Sequence, residues 1–225
     1  MNGRLISFQG NGATYRGYLC PAKTPAPGVI VVQEWWGLVD HVKDVCDRFA
    51  AEGFTALAPD LYKGVETKSP DEAGKLLMAL NIAETEKILR GAVDALLADP
   101  SCSSKKAGIV GFCMGGQLAL FGAATSPERF AACVDFYGVH PNAHPPLEKL
   151  QAPVLGFFAE VDGYLTPEVV SRLDRRLTEL GRAHEFHTYP GTEHGFFNDT
   201  TNHHHPAAAK DTWRRTLAFL RQHVK

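Results

Sequence analysis

One glycine-flanked cysteine constrains the fold of this 225-residue chain more than any other feature. The segment Gly111-Phe112-Cys113-Met114-Gly115-Gly116 follows the apolar run 107–110 and precedes the apolar stretch 117–124. This order predicts a buried strand, a tight turn and a helix. A reactive side chain with a glycine two residues away on each side, at a strand-to-helix corner, is typical of a nucleophile elbow. Cys113 takes the place of the serine usually found there.

The glycines of this pattern have a steric reason. A sharp turn brings neighbouring backbone close, so we expect a side chain at position 111 or 115 to clash. The positive end of the following helix favours a thiolate at Cys113. The backbone N–H of Met114, at the start of that helix, is a candidate donor to an oxyanion. The alternative is that Cys113 is a small buried apolar residue, which is common for cysteine.

Length, charge and cysteine content predict a single soluble domain spanning residues 1–225. The net charge of −2 gives no reason to expect a nucleic acid or an anionic membrane as partner. No apolar run is long enough to span a bilayer, and the N-terminus lacks the apolar stretch of a signal peptide. Five cysteines without a CxxC pair favour free thiols in the cytoplasm over disulfides or a zinc site.

Hydrophobic periodicity and turn signals predict alternating strands and helices. Stretches 5–8 and 14–19 flank Gly10-Asn11-Gly12 and predict an N-terminal β-hairpin. Further strands are expected at 28–33, 55–58, 107–110, 132–136, 154–158 and 185–189. Helices are expected at 40–52, 70–80, 84–97, 117–124, 167–180 (with Thr166 as its cap) and 207–224. This alternation predicts an α/β fold with a mostly parallel central sheet and helices on both faces.

Reactive side chains follow three of the predicted parallel strands. Ligands of open α/β sheets bind beyond the carboxyl ends of the strands. Cys113, Asp162 and His194 stand at such ends. Their order along the chain, nucleophile, acid and histidine, is that of the α/β-hydrolase fold. Glu160 competes for the position of the acid, but Asp162 precedes a glycine and is favoured.

The chain resembles the dienelactone hydrolase family, a branch of the α/β-hydrolase fold. The resemblance covers nearly the whole chain and rests on the segments Gln33-Glu34-Trp35-Trp36-Gly37, Pro59-Asp60-Leu61-Tyr62, Gly111 to Gly116, Phe136-Tyr137-Gly138-Val139, the Asp162 loop and Glu193-His194-Gly195-Phe196. It implies a Cys-His-Asp triad that hydrolyses an ester or lactone through a covalent acyl-cysteine intermediate. It also implies a catalytic glutamate next to the cysteine, which by matching position is Glu34.

Each member of this set has an expected role. His194 accepts the thiol proton or stabilises the thiolate, and later serves as general base for the deacylating water, while Asp162 fixes its tautomer and supports the imidazolium. A carboxylate beside a thiol resists ionisation of both groups. The resemblance therefore implies that Glu34 holds the cysteine neutral until substrate arrives and then takes its proton. The oxyanion donors are the N–H of Met114 and, by resemblance, that of Trp35.

Four further side chains are candidates for substrate contact: Trp36, Tyr137, Phe196 and Asn198. Trp35, Trp36 and Tyr137 could equally be plain core aromatics. The best-known members of the family bind a carboxylate-bearing dienelactone with two arginines. One of them lies four residues after the catalytic histidine, where this chain has Asn198, and the other has no counterpart between Leu61 and Lys87. Since arginine suits bidentate carboxylate recognition, this departure weakens the expectation of that substrate.

Lysines near the second arginine position could supply a point charge instead: Lys63, Lys68 and Lys75. The run His203-His204-His205 predicts no metal site, because adjacent side chains diverge whereas zinc ligands are spaced. No phosphate loop of the type GxGxxG or GxxxxGK[ST] is present, so no cofactor is expected.

The leading expectation is a hydrolase with a small-molecule ester or lactone substrate. The alternatives are a hydrolase of other activated acyl or carbon–halogen bonds on the same scaffold, and a non-catalytic thiol-based ligand or redox sensor. The sequence carries no signal for an oligomeric state.

Overall fold

The computed structural model describes residues 3–225, within which eight strands form one sheet. The strands are β1 Arg4–Gly10, β2 Ala13–Cys20, β3 Gly28–Val32, β4 Thr55–Pro59, β5 Ala107–Phe112, β6 Phe130–Phe136, β7 Val154–Val161 and β8 His184–Glu193. Their spatial order is β1-β2-β4-β3-β5-β6-β7-β8. The β1–β2 hairpin and the β2–β4 pair are antiparallel, and the other pairs are parallel. The predicted hairpin and mostly parallel sheet are therefore confirmed.

In the described residues 3–225, six α-helices cover the two faces of the sheet. They are α1 Asp40–Ala51, α2 Pro70–Ala79, α3 Ile82–Ala98, α4 Met114–Thr125, α5 Pro167–Glu179 and α6 Pro206–His223. Apolar side chains of α3, α4 and α5 join one core cluster, and those of α1 and α6 join the other. Every residue of β3, β4 and β5 is buried, as expected for central strands covered on both faces. None of these helices is long and apolar enough to cross a membrane.

The last two strands run further than the sequence predicts. An irregularity between Ala159 and Val161 lets β7 and β8 continue, so that Val161 pairs with Glu193. Asp162 and His194 thus follow directly on two paired strands. At the start of α5, Thr166 occupies the cap position but its side chain makes no capping hydrogen bond to the helix. Proline at the first helical position starts the helix instead, because its backbone angle is already helical.

The turn between β5 and α4 depends on glycine at two positions. A Cβ atom on Gly111 would overlap the carbonyl oxygen of Gly115, and one on Gly115 would overlap the carbonyl oxygen of Val32. Both contacts are with backbone, which cannot move aside as the end of a flexible side chain can. The expected clash at these positions is confirmed, and it fixes the close approach of α4 to the sheet.

A fully buried carboxyl lies directly beneath this turn. Asp135 of β6 has its side chain against the backbone of Gly116 and Gly138. Burial raises its pKa to about 7, although the Gly138 amide and the charge of His194 oppose the shift. No salt bridge within residues 3–225 involves this carboxyl. The folded protein therefore holds Asp135 at lower cost when its carboxyl is protonated than when it is ionised.

Replacing Asp135 by asparagine should stabilise the protein in alkaline solution. Since the folded pKa lies above the unfolded value, the stability that the protonated carboxyl contributes is complete below about pH 3.8 and is lost as pH rises through about 7. We expect Asp135→Asn to raise the Tm by roughly 5 °C or more at pH 8.5 and by less than half as much at pH 5. Thermal denaturation followed by circular dichroism measures both values.

Asp71→Asn, which removes an exposed carboxyl on α2, is the control and should shift the Tm equally at both pH values. An equal shift at both pH values for Asp135→Asn would contradict the assignment of a raised pKa.

Candidate active site

Cys113 stands at the N-terminus of α4 in a backbone conformation that non-glycine residues rarely adopt. Its φ is 55° and its ψ is −126°. Three hydrogen bonds hold it there: its N–H donates to Phe136 at 3.0 Å, and its carbonyl accepts from Gly116 at 2.9 Å and Val139 at 3.2 Å. Strain held by the surroundings in this way is characteristic of functional sites. The side chain is buried and lines a cavity.

His194 and Asp162 meet at the ends of β8 and β7. Nδ1 of His194 lies 2.8 Å from Oδ2 of Asp162, and Oδ1 of the same carboxylate accepts the N–H groups of Tyr164 at 2.8 Å and Leu165 at 2.9 Å. Burial raises the pKa of Asp162, but the hydrogen bonds and the histidine charge outweigh it and bring the pKa below its usual value. The competing acid, Glu160, is exposed and accepts the N–H of Gly191. The structure thus pairs His194 with Asp162.

The histidine also shares the cavity with Cys113. Burial by itself lowers the pKa of His194, but the hydrogen bond to Asp162 and the nearby Cys113, together with their charges, raise it to about 10. The imidazole is therefore protonated at neutral pH when the thiol is ionised. Its ring packs between Tyr137 and Tyr164, with centroid distances of 5.0 and 5.3 Å. Asp162 thus binds His194, and His194 faces the same cavity as Cys113.

Glu34 follows β3 and is held by Asn198. The glutamate is only 4% exposed, and its Oε2 accepts a hydrogen bond of 2.6 Å from Nδ2 of Asn198. Oδ1 of Asn198 accepts from the N–H and the hydroxyl of Thr200, at 3.0 and 2.6 Å. The amide oxygen is thus engaged by donors, which leaves its NH₂ group to face Glu34. A buried carboxylate therefore has a neutral amide as its partner.

A cavity of about 710 Å³ opens in front of Cys113. This volume suits a small organic ligand. Its lining residues are Glu34, Trp35, Trp36, Gly74, Leu77, Met78, Cys113, Val139, His140, Pro141, Val161, Gly163, Tyr164, Glu193, His194, Gly195, Asn198, Thr201 and His203. Cys113, His194, Glu34, Trp36 and Asn198 thus share one cavity, as the sequence suggests.

Two expected substrate contacts lie behind this cavity instead of lining it. Tyr137 and Phe196 are both fully buried, with ring centroids 5.2 Å apart. Tyr137 packs against the His194 imidazole and does not line the cavity. Burial raises the pKa of Tyr137 well above its usual range, and the nearby Glu34 charge adds to the effect. Tyr137 thus contacts the histidine and Phe196 contacts Tyr137, whereas the sequence predicts that both contact substrate.

Of the two expected oxyanion donors, Met114 follows Cys113 in the chain and Trp35 lines the same cavity as Cys113. Met114 is the first residue of α4, so its backbone N–H has no acceptor within the helix. Trp35 directly follows Glu34, and its ring contacts that of Trp36 with a centroid distance of 5.0 Å at 63°. Both tryptophans are half-buried and line the cavity. The Met114 side chain is buried and accepts a hydrogen bond from Tyr62 at 3.2 Å.

The lysines considered as substitutes for the family arginines lie elsewhere. Lys63 pairs with Glu84 at 2.6 Å, and neither it nor Lys68 or Lys75 lines the cavity. In the histidine run, His203 bonds Glu193 at 2.6 Å, while Nδ1 of His205 accepts from the first turn of α6. Among residues 3–225, no three side chains of His, Cys, Asp or Glu are close enough together to hold a metal ion.

His140 is a cavity residue that the sequence reasoning missed. It is buried, its Nδ1 accepts the N–H of Asn142 at 3.1 Å, and burial lowers its pKa, so the ring is neutral at pH 7. It lies beside Leu77 and Met78 of α2. The sequence could have indicated His140 as a site residue, because it lies just beyond the end of β6, and that strand ends at the same edge of the sheet as the other parallel strands.

Comparison with known proteins agrees with the fold and identifies the family. Residues 15–224 match the family described as "Dienelactone hydrolase family". The chain is 34% identical over 229 residues to "Protein usf" of Aquifex pyrophilus, covering 99% of each. It is 32% identical over 230 residues to "Putative carboxymethylenebutenolidase" of Aquifex aeolicus (strain VF5), covering 99% of this chain and 100% of that one.

Solved structures give the same result. A crystal structure named "Putative Dienelactone Hydrolase" from Klebsiella pneumoniae subsp. pneumoniae MGH 78578 matches with a TM-score of 0.86 and 28% identity, covering 98% of this chain and 100% of that one. The match over almost the whole chain agrees with the α/β-hydrolase topology of the sheet. The chain belongs to the dienelactone hydrolase family and is a hydrolase of that type.

Proposed function

We propose that this protein hydrolyses a carboxylic ester or lactone through an acyl-cysteine intermediate at Cys113. One observation carries the proposal: His194 is hydrogen-bonded to Asp162, and it lines a cavity of about 710 Å³ together with Cys113. A nucleophile, a base and a group that orients the base are the parts that covalent acyl transfer requires.

Acylation begins with attack of the Cys113 thiolate on the carbonyl carbon of the substrate. The developing oxyanion is held by the backbone N–H groups of Met114 and Trp35. The tetrahedral intermediate collapses with cleavage of the carbon–oxygen bond, and the His194 imidazolium donates its proton to the departing alkoxide. A lactone opens in this step, so its alcohol remains attached to the acyl group.

Deacylation depends on the loss of negative charge from the Cys113 sulfur during acylation. The thioester carries no negative charge, so the part of the raised His194 pKa that Cys113 supplies disappears. The imidazole, having lost its proton to the leaving group, can then act as general base for a water molecule. Asp162 remains ionised and holds the ring in position. Water attacks the thioester, the acid is released and the thiol returns.

Glu34 limits the lifetime of the thiolate in the empty site. Its buried carboxylate lines the same cavity as Cys113, and like charges so close disfavour one another. In the proposed cycle Glu34 takes the thiol proton when a substrate enters. The five cysteines are all free thiols, and a catalytic Cys113 must stay reduced, so we also propose a cytoplasmic location.

Cys113→Ala should abolish hydrolysis. We expect kcat/KM for p-nitrophenyl butyrate and for dihydrocoumarin to fall by about 10³-fold or more, because Cys113 is the one thiol among the residues that line the cavity. Cys102→Ala, which removes a half-buried thiol outside the cavity, is the matched control and should keep its rate. Spectrophotometric assays of both substrates measure the effect.

Retention of the rate by Cys113→Ala would contradict the proposal. The same panel, extended to thioesters and haloacids, distinguishes ester hydrolysis from the other activated substrates. Wild-type protein that turns over none of them, while Cys113 oxidises reversibly, would favour the sensor alternative.

A further inference from the structure

We propose that the cavity selects uncharged, largely apolar esters and disfavours substrates that carry a carboxylate. The ester part of this inference rests on the proposed function, whereas the charge preference rests on the cavity itself. Three observations support it: the charges that line the cavity, the neutral partner of Glu34, and the apolar rim.

The cavity has carboxylates but no permanent cation. Among its lining residues, all within the described part of the chain, there is no lysine and no arginine. Its ionisable side chains are Glu34, Cys113, His140, Glu193, His194 and His203. Burial keeps His140 neutral at pH 7, and the positive charge of His194 is balanced by Asp162. Two carboxyl groups, Glu34 and Glu193, therefore line the cavity besides the Asp162–His194 pair, and of these Glu193 has His203 as a partner at 2.6 Å.

Glu34 contributes the most important of these charges. It is 4% exposed, and its partner at 2.6 Å is the amide of Asn198, which does not cancel its charge. Screening by solvent is weak at such a site. A second carboxylate entering the cavity would meet this charge in a poorly screened environment without a cation to compensate it. An uncharged substrate meets no such repulsion.

The rim of the cavity is apolar at the places where it meets solvent. Met78, Val161 and Tyr164 line it and are 59%, 60% and 65% exposed. Among residues 3–225, five large hydrophobic side chains are exposed, and three of them are at this mouth. Exposed apolar side chains that cluster around a cavity indicate a surface for an apolar ligand. The mouth is thus suited to the hydrocarbon part of an ester.

A pair of esters that differ only in one charge tests the inference. We expect kcat/KM for the methyl p-nitrophenyl diester of adipic acid to exceed that for its p-nitrophenyl monoester, which ends in a carboxylate, by about tenfold or more at low salt. High salt should lower this ratio of the two kcat/KM values. Glu193→Gln, which removes a carboxylate at the cavity wall, should lower the same ratio by about threefold. Glu160→Gln makes the same change of charge outside the cavity and should leave the ratio unaltered.

Alkylation of Cys113 gives a second measurement that needs no turnover. N-ethylmaleimide and 3-maleimidopropionate are compared by mass spectrometry, and each rate is divided by its rate with N-acetylcysteine. We expect the uncharged reagent to label Cys113 at least about fivefold faster after this correction.

The outcomes separate the two proposals. Turnover of the carboxylate-bearing ester at an equal or higher rate overturns the charge preference and leaves the proposed function standing. Absence of turnover for both esters overturns the proposed function. In that case faster labelling by N-ethylmaleimide supports the charge preference of the cavity, and equal or faster labelling by the carboxylate reagent overturns it.

Discussion

The close packing of α4 onto the centre of the sheet determines the rest of this site. Gly111 and Gly115 allow the helix start to touch the backbone of the neighbouring strands, and no larger residue fits. Because the backbone is so tightly held, Cys113 keeps a φ of 55° and its side chain projects into the cavity. The same packing places a helix N-terminus next to the sulfur, where backbone N–H groups and the helix dipole favour negative charge.

The charged groups around Cys113 form two sets. Asp162 and His194 are a strong pair in which each stabilises the ionised form of the other. Glu34 lines the same cavity as Cys113 and has the Asn198 amide as a partner. In the proposed cycle, a thiolate at Cys113 is stabilised by the first set and opposed by the second. This balance connects the mechanism to the preference for uncharged substrates.

Much of this arrangement could be predicted from the sequence, because it depends on chain order and hydrophobic pattern. Parallel strands end at one edge of the sheet, so Cys113, Asp162 and His194 had to approach one another once the strands were identified. Contacts set by loop conformation could not be predicted in the same way. The bond between Glu34 and Asn198 joins residues 164 positions apart, and the packing of Tyr137 against His194 depends on how β6 ends. The full lengths of β7 and β8 could not be predicted either, because both strands end in a pair, Val161 with Glu193, that forms only when the two strands lie side by side.

The central claim is that the acyl group is carried by the sulfur of Cys113. Rapid acid quenching of the enzyme with a p-nitrophenyl ester, followed by intact-mass analysis and peptide mapping, tests it most directly. The account predicts a transient increase in mass equal to the acyl group, located on Cys113, which forms with the release of p-nitrophenol and decays at the rate of turnover. If the wild-type protein shows no adduct, the same measurement is made on a variant of Asp162, in which deacylation is slower. Turnover without an adduct in either protein would contradict the account. An adduct on another residue that forms and decays at the rate of turnover would contradict it outright.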